Sequence, residues 1–315
     1  MKILITGGAG FIGSHVVEAY LRDGHDVVVL DDLSSGSPLN VPRGAPLITM
    51  DVCEGDLDAV FARERPEIVN HHAAQMSVRR SVEAPGFDAR VNILGSLRLL
   101  EAAVRHGVKG VIFASTGGAL YGEQDYFPAD EGHPIHPLSP YGVAKASVEH
   151  YLFYYRVVHA LPSVALRYAN VYGPRQNPEG EAGVVAIFCG RLLRGQTPVI
   201  NGDGKQTRDF VFVEDVAEAN RLALDYLVGG PRDNGHQALN IGLGQEASIL
   251  DLAETLARTS GKRVGFIHGP AKAGEQQRSS LDSTKAKSLL GWTPAVPLEE
   301  GLHLTLDWFR RRQRP

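Results

Sequence analysis

Tyr141 and Lys145 stand four residues apart in a segment patterned as a helix, so both side chains leave it on one face. That spacing suits proton transfer. An ammonium beside a phenol favours the phenolate and lowers a pKa that is about 10 when unperturbed, giving a usable general base or acid near neutral pH. Alone, a Tyr-x-x-x-Lys pair arises often by chance as surface decoration. Its weight comes from a second constellation in the same chain.

That second constellation is Gly7, Gly10 and Gly13, in the spacing G-x-x-G-x-x-G, between a short apolar run at 2–6 (KILIT) and a helical pattern from Ser14 to Arg22. Missing side chains let the backbone approach a pyrophosphate, and a helix N-terminus supplies N–H groups and partial positive charge. The following run, DVVVLDD, ends in Asp31 and Asp32, about 20 residues beyond the loop, where a carboxylate would accept from an adenosine ribose. A carboxylate there repels a 2′-phosphate, so NAD is expected rather than NADP. Asp51, after the next apolar run, is placed to accept from the adenine amine, and Lys145 to donate to the nicotinamide ribose.

The elements that must position these groups read as alternating strands and helices. Apolar runs at 46–50, 67–70, 110–114 and 163–168 are separated mostly by helix-length segments. This implies an α/β fold with a parallel sheet covered on both faces and wound by right-handed crossovers. Ile93, Leu97, Leu100, Ala103 and Val104 predict a helix over 92–106, and an aromatic-rich pattern predicts another over 141–158. After Val171 the chain turns richer in Gly, Pro and polar residues, as expected of a smaller lobe built from loops and short elements.

Composition narrows the class. With 43% hydrophobic and 22% charged residues the chain is globular, and a net charge of −4 with pI near 6.3 offers no broad basic surface for nucleic acid. The arginines at 310, 311, 312 and 314 read as a solvated tail. Cys53 and Cys189 lie far apart without a zinc-like pattern, and the twelve histidines, His71 and His72 included, show no metal-ligand spacing, so no metal is expected. No stretch approaches the ~20 apolar residues of a membrane span, and the first residues read as a strand rather than a leader, so a cytoplasmic protein is expected.

With these residues in hand, the chain resembles the extended short-chain dehydrogenase/reductase family, and within it the UDP-glucose 4-epimerases and their relatives. The likeness spans nearly the whole length. It rests on TGGAGFIG at 6–13, DDLSSG at 31–36, HHAAQ at 71–75, VNILGS at 91–96, ASTGGALYGE at 114–123, YGVAK at 141–145, LRYANVYGPRQ at 166–176, GDGKQTRDFVFVEDV at 202–216 and GEQQRSSLD from 274. The resemblance implies a Rossmann-type doubly wound sheet over 1–170, with about 205–242 returning to it, and a smaller nucleotide-sugar-binding lobe over 171–315. It implies NAD contacts at Gly7, Gly10, Phe11, Ile12, Gly13, Asp31, Asp32, Asp51, Val52, Ala73, Asn92, Ser115, Tyr141, Lys145 and Tyr168. A nucleotide-sugar site is implied at Asn170, Val184, Val199, Asn201, Arg208 and Glu275. Arg208 offers a fork of donors to the diphosphate, or else an ion pair with Asp209.

The implied reaction is 4-epimerisation of a UDP-hexose, Tyr141 taking the proton of the sugar 4-hydroxyl. Thr116 is the candidate for the family hydroxyl that bonds the sugar, with Ser115 second. Gly117 and Gly118 cannot supply the Asp-Glu pair of the sugar 4,6-dehydratases, which disfavours dehydration. Ser279 falls where some members carry a bulky tyrosine, leaving room for a 2-acetamido group, and Lys272 where many carry arginine. Competing readings are a UDP-glucuronate 4-epimerase or decarboxylase, another nucleotide-sugar reductase, and a noncatalytic NAD-sensing protein. The long helices resemble those that pair in family homodimers.

Overall fold

A computed structural model describes residues 1–178, 183–230, 236–261, 265–271 and 276–312. Its strands in chain order are β1 Lys2–Thr6, β2 Asp26–Asp31, β3 Leu47–Thr49, β4 Ile68–His71, β5 Gly110–Thr116, β6 Ser163–Tyr168, β7 Asn170–Tyr172, β8 Val199–Asn201, β9 Thr207–Phe212, β10 His236–Ile241, β11 Glu246–Ser248 and β12 Ile267–Gly269. Seven of them form one parallel sheet in the order β3-β2-β1-β4-β5-β6-β10. Every residue of β4 and β6 is buried, as a sheet covered on both faces demands. Strand order reverses beside β1, so the glycine loop leaves the sheet at a topological switch point, where such folds open a crevice at the strands' carboxyl ends.

The helices are α1 Phe11–Arg22, α2 Leu57–Glu64, α3 Val78–Glu83, α4 Pro85–Ala89, α5 Gly95–Arg105, α6 Gly117–Leu120, α7 Pro140–His159, α8 Val184–Leu193, α9 Val213–Val228, α10 Ile249–Ser260, α11 Thr284–Leu290 and α12 Leu298–Arg312. Strand alternation divides the sheet's side chains between two cores. Ile3 and Ile5 meet Val16, Tyr20, Val216 and Leu224 from α1 and α9. Leu4 and Val69 meet Phe61, Leu99 and Leu152 from α2, α5 and α7.

A third core lies in the second lobe, where Phe188, Phe210, Leu252 and Leu306 pack around α8, α10 and α12. Its strands are short: β9 pairs with β7 in parallel and with β11 antiparallel, and β8 pairs with β12. Of the 205–242 stretch, α9 and β10 join the large sheet's layers, whereas β9 stays with β7 and β11.

The helix expected from Asn92 opens earlier. It starts at Pro85, whose missing N–H suits a helix's first position, passes through a π-helical turn at Arg90–Leu94 and continues as α5. Among the described residues, no helix is long and apolar enough to cross a membrane.

Candidate active site

The turn from β1 into α1 is shaped for close approach. Gly7 adopts φ +71°, and a β-carbon on it would lie 2.6 Å from the Ala73 nitrogen; one on Gly13 would lie 2.3 Å from the Gly7 carbonyl oxygen. Gly10 caps α1 without any side chain, so the first-turn N–H groups around Phe11 and Ile12 face outward with no intrahelical acceptor. Asp31 fixes the loop from the neighbouring strand, its two carboxylate oxygens each accepting a 2.9 Å bond, from the Ala9 and Leu33 N–H groups. A carboxylate has about four acceptor positions, so two remain for ribose hydroxyls. Asp32 is exposed and accepts from Ser34, while Asp51 accepts 2.7 Å from the Cys53 N–H beside buried Val52. A bare loop, a helix N-terminus and an acidic strand end together fit a dinucleotide such as NAD.

Tyr141 and Lys145 come from the first turns of α7, which Ser139 caps through a 3.2 Å bond from the Gly142 N–H and Pro140 opens. Lys145 is buried; its Nζ donates 2.8 Å to the Ala114 carbonyl and lies 4.6 Å above the Phe113 ring and 5.8 Å from the centre of the Tyr141 ring. Burial lowers the Lys145 pKa to about 8 against the upward pull of Asp88 and Glu149. The phenol departs from the sequence expectation. Burial, seconded by the Asp88 charge, raises the Tyr141 pKa rather than lowering it.

The strand that carries Lys145's acceptor also separates Ser115 from Thr116. Ser115 is buried and donates 2.5 Å to Glu149 Oε1, so its hydroxyl belongs to the sheet's interior. Thr116 caps α6, its Oγ1 accepting from the Ala119 N–H, which leaves the hydroxyl proton to donate elsewhere. A β-carbon on Gly118 would lie 3.7 Å from Asn170 Oδ1 and 3.9 Å from Thr116 Oγ1, so there is room for a side-chain carbon in contact with these two polar groups. At Gly117 there is none: an added β-carbon would strike Leu281 at 2.4 Å.

Three further cofactor candidates are held by partners. Asn92, on the π turn, accepts from the Gln75 N–H and donates to the Gln75 carbonyl and Asp88. Ala73 donates to Thr6 Oγ1, and Tyr168 shares its hydroxyl with Asn220 while stacking on His72. His71 is flanked by Thr6 and Ser96, and burial drops its pKa to about 3, as it does for His72. Among the described residues, no three metal-ligating side chains gather.

The substrate candidates lie on the second lobe's edge. Val184 opens α8; Val199 and Asn201 bound β8; Arg208 sits on β9, donating to the Thr207 carbonyl. Asp209 faces the other side of β9, where its carboxylate accepts three backbone N–H groups, from Leu243, Gly244 and Leu281. Thr207 N–H reaches the Gln277 carbonyl, which lays buried Ser279 alongside this strand. Glu275 and Lys272 lie outside the described residues.

Sequence reasoning missed two groups around α7. Asp88 was legible as the i−4 helical neighbour of Asn92, whereas the Glu149–Arg167 pair bridges 18 residues and emerges only from sheet geometry.

Residues 3–242 match the NAD dependent epimerase/dehydratase family. UDP-glucose 4-epimerase of Mycolicibacterium smegmatis is 44% identical over the whole of both chains. The crystal structure of UDP-glucose 4-epimerase from Thermotoga maritima, with UDP-glucose, superposes with a TM-score of 0.95 at 48% identity, covering 99% of each chain. That of the Thermus thermophilus enzyme, in complex with NAD, gives 0.91 at 44% identity, covering 98% of this chain and 99% of the other.

Proposed function

The chain belongs to the NAD-dependent epimerase/dehydratase family, and on that footing we propose that it inverts C4 of a UDP-hexose, interconverting UDP-glucose and UDP-galactose. The observation that supports this most is the Tyr141–Lys145 pair on one face of α7, the ammonium 5.8 Å from the centre of the phenol ring, in the same fold as the bare glycine loop between β1 and α1. NAD supplies a hydride acceptor and donor for C4 when bound.

The chain's own residues do the rest. Tyr141 takes the proton of the 4-hydroxyl and later returns it; its raised pKa makes the phenolate a strong base once formed. Lys145 stays mostly charged at neutral pH, offsetting the phenolate and donating to the nicotinamide ribose. The outward N–H groups of α1 hold the pyrophosphate, Asp31 and Asp32 the adenosine ribose, and Asp51 the adenine. Thr116 donates to the sugar, Asn170 and Arg208 to the diphosphate, and Val184, Val199 and Asn201 line the remaining nucleotide-sugar site. Rotation of the 4-keto sugar in the site presents its opposite face, so no net redox change occurs. Small Ser279 leaves room for a 2-acetamido group, extending the reading to UDP-N-acetylglucosamine.

The working form in this reading is a cytoplasmic homodimer. Val143, Tyr151, Tyr154 and Val158 are exposed at helical spacing on α7, an apolar stripe suited to a second copy. Light scattering on the purified protein checks the mass.

Separate incubations with UDP-glucose, UDP-N-acetylglucosamine, UDP-glucuronate and dTDP-glucose, with products resolved by chromatography, test the activity. UDP-galactose from UDP-glucose is the expected result. No inversion there, beside turnover of UDP-glucuronate or formation of a 4-keto-6-deoxy sugar, would overturn the reading.

A further inference from the structure

Among the described residues, Asp88 and Lys145 are buried near the crevice without a direct counter-ion. Asp88, in α4, is 1% exposed; its Oδ1 accepts from Gln75 Nε2 at 2.9 Å and Asn92 Nδ2 at 3.0 Å, while Oδ2 is buried with no hydrogen-bond partner. Lys145 is 4% exposed, and the acceptor of its ammonium is a neutral carbonyl, that of Ala114. A buried charge left alone is costly, and two of opposite sign on packed helices lower that cost for each other even without contact.

The other charges around α7 are engaged elsewhere. Glu149, one turn further along α7, also pulls the Lys145 pKa upward but is paired directly with Arg167 of β6. On α3, Arg79 pairs with Glu83 and Arg80 lies over Phe87; on the π turn, Arg90 pairs with Glu54. His71 and His72, at the end of β4, are held neutral. Glu101 and Arg105 of α5 act on Tyr155, and His236 of β10 meets Phe153, both on the far half of α7.

We infer that Asp88 is a positioning residue of this site, a fixed carboxylate that keeps the buried Lys145 ammonium charged and so sets the alkaline limit of the enzyme's working range. The inference rests on the epimerase reading for its kinetic consequence. Gln75 and Asn92 both donate to the carboxylate, which ties it to the same asparagine that the family likeness places against NAD. Asp88 also raises the cost of the Tyr141 phenolate, so one carboxylate acts on both groups.

The test compares the full chain with Asp88→Asn and Asp88→Glu, measuring kcat/KM for UDP-glucose and NAD affinity across pH. In the native enzyme the alkaline limb falls where Lys145 loses its proton, about 8. In Asp88→Asn both the kinetic limb and the loss of NAD affinity move to lower pH by about one unit, a tenfold loss on that flank. Asp88→Glu restores the native position. A limb that stays put in Asp88→Asn while kcat falls uniformly would reduce Asp88 to a packing role and overturn the inference. Thermal melts report folding, and Asp88→Ser gives a second neutral variant should the asparagine fail to fold. If the native chain turns over no UDP-glucose, the functional reading fails, and the NAD titration alone still decides the role of Asp88.

Discussion

One turn apart on α7, Lys145 and Glu149 are both buried and both charged, yet they are solved in opposite ways. Glu149 is saturated: Arg167 Nη2 reaches Oε2 at 2.6 Å, its Nε reaches both oxygens at 3.1 Å, and Ser115 completes Oε1. Arg167 in turn donates 2.9 Å to the Tyr121 hydroxyl, which donates 2.7 Å to Asn240, so the network pins α7, β5, β6 and β10 together. Lys145 has one carbonyl and two carboxylates, Asp88 and Glu149, that act on it without contact. A saturated charge holds a fold and has nothing left to offer a ligand; an incompletely matched one keeps its bonding capacity for the reaction.

Substitutions can break that contrast, and the largest expected effect is on the unsaturated side. Tyr141→Phe should lower epimerisation by about 10²–10⁴-fold while NAD binding and the melting temperature hold, as checked by single-turnover assay and calorimetry. Retained activity would remove Tyr141 from proton transfer. On the saturated side, Glu149→Gln leaves Arg167 buried without its counter-charge and should cost about 3–5 kcal/mol in urea unfolding. Glu149→Leu combined with Arg167→Met should recover much of it. Lys145→Met should cost less stability than Glu149→Gln and far more rate.

Neutral groups sharpen the comparison through pH. Burial lowers His71 and His72 to about 3 and His15 to about 4, against about 6.5 in an unfolded chain. Folded and unfolded states are alike for these rings above that value. As pH falls below it, the unfolded chain takes up protons that the folded one refuses, so stability drops through the window from about 6.5 towards 3–4, by up to about 1.4 kcal/mol per histidine per pH unit. A denaturant series at stepped pH reads the slope, and His71→Asn should remove one proton from it.

The smallest effect separates neighbouring hydroxyls. Ser115→Ala should cost about 1 kcal/mol of stability and little activity, because it breaks a bond inside the sheet. Thr116→Val should do the reverse, lowering kcat/KM about tenfold with near-native melting; equal effects from both would dissolve the distinction.

The parallel sheet and the glycine loop were legible in the sequence because both are local: apolar runs of strand length, and three glycines whose spacing a turn requires. The Tyr141–Lys145 pair was legible for the same reason, being one helical turn. What the sequence concealed depends on the third dimension. Ser115 and Thr116 differ only in which face of β5 they take, and no spacing rule says which face holds Glu149. The direction of the Tyr141 shift was concealed too, since adjacency to lysine is visible in a sequence and depth of burial is not. Asp88 escaped notice because the helix was expected to open only at Asn92, which hid the i−4 relation between the two.

Leu281, buried beside Tyr121 and Ala129, occupies the space that a side chain at Gly117 would need. The sizes of these two residues, 164 positions apart, are therefore traded against each other. A serine at 117 requires the Leu281 isobutyl group to shift or to shrink, so the two positions are sterically coupled.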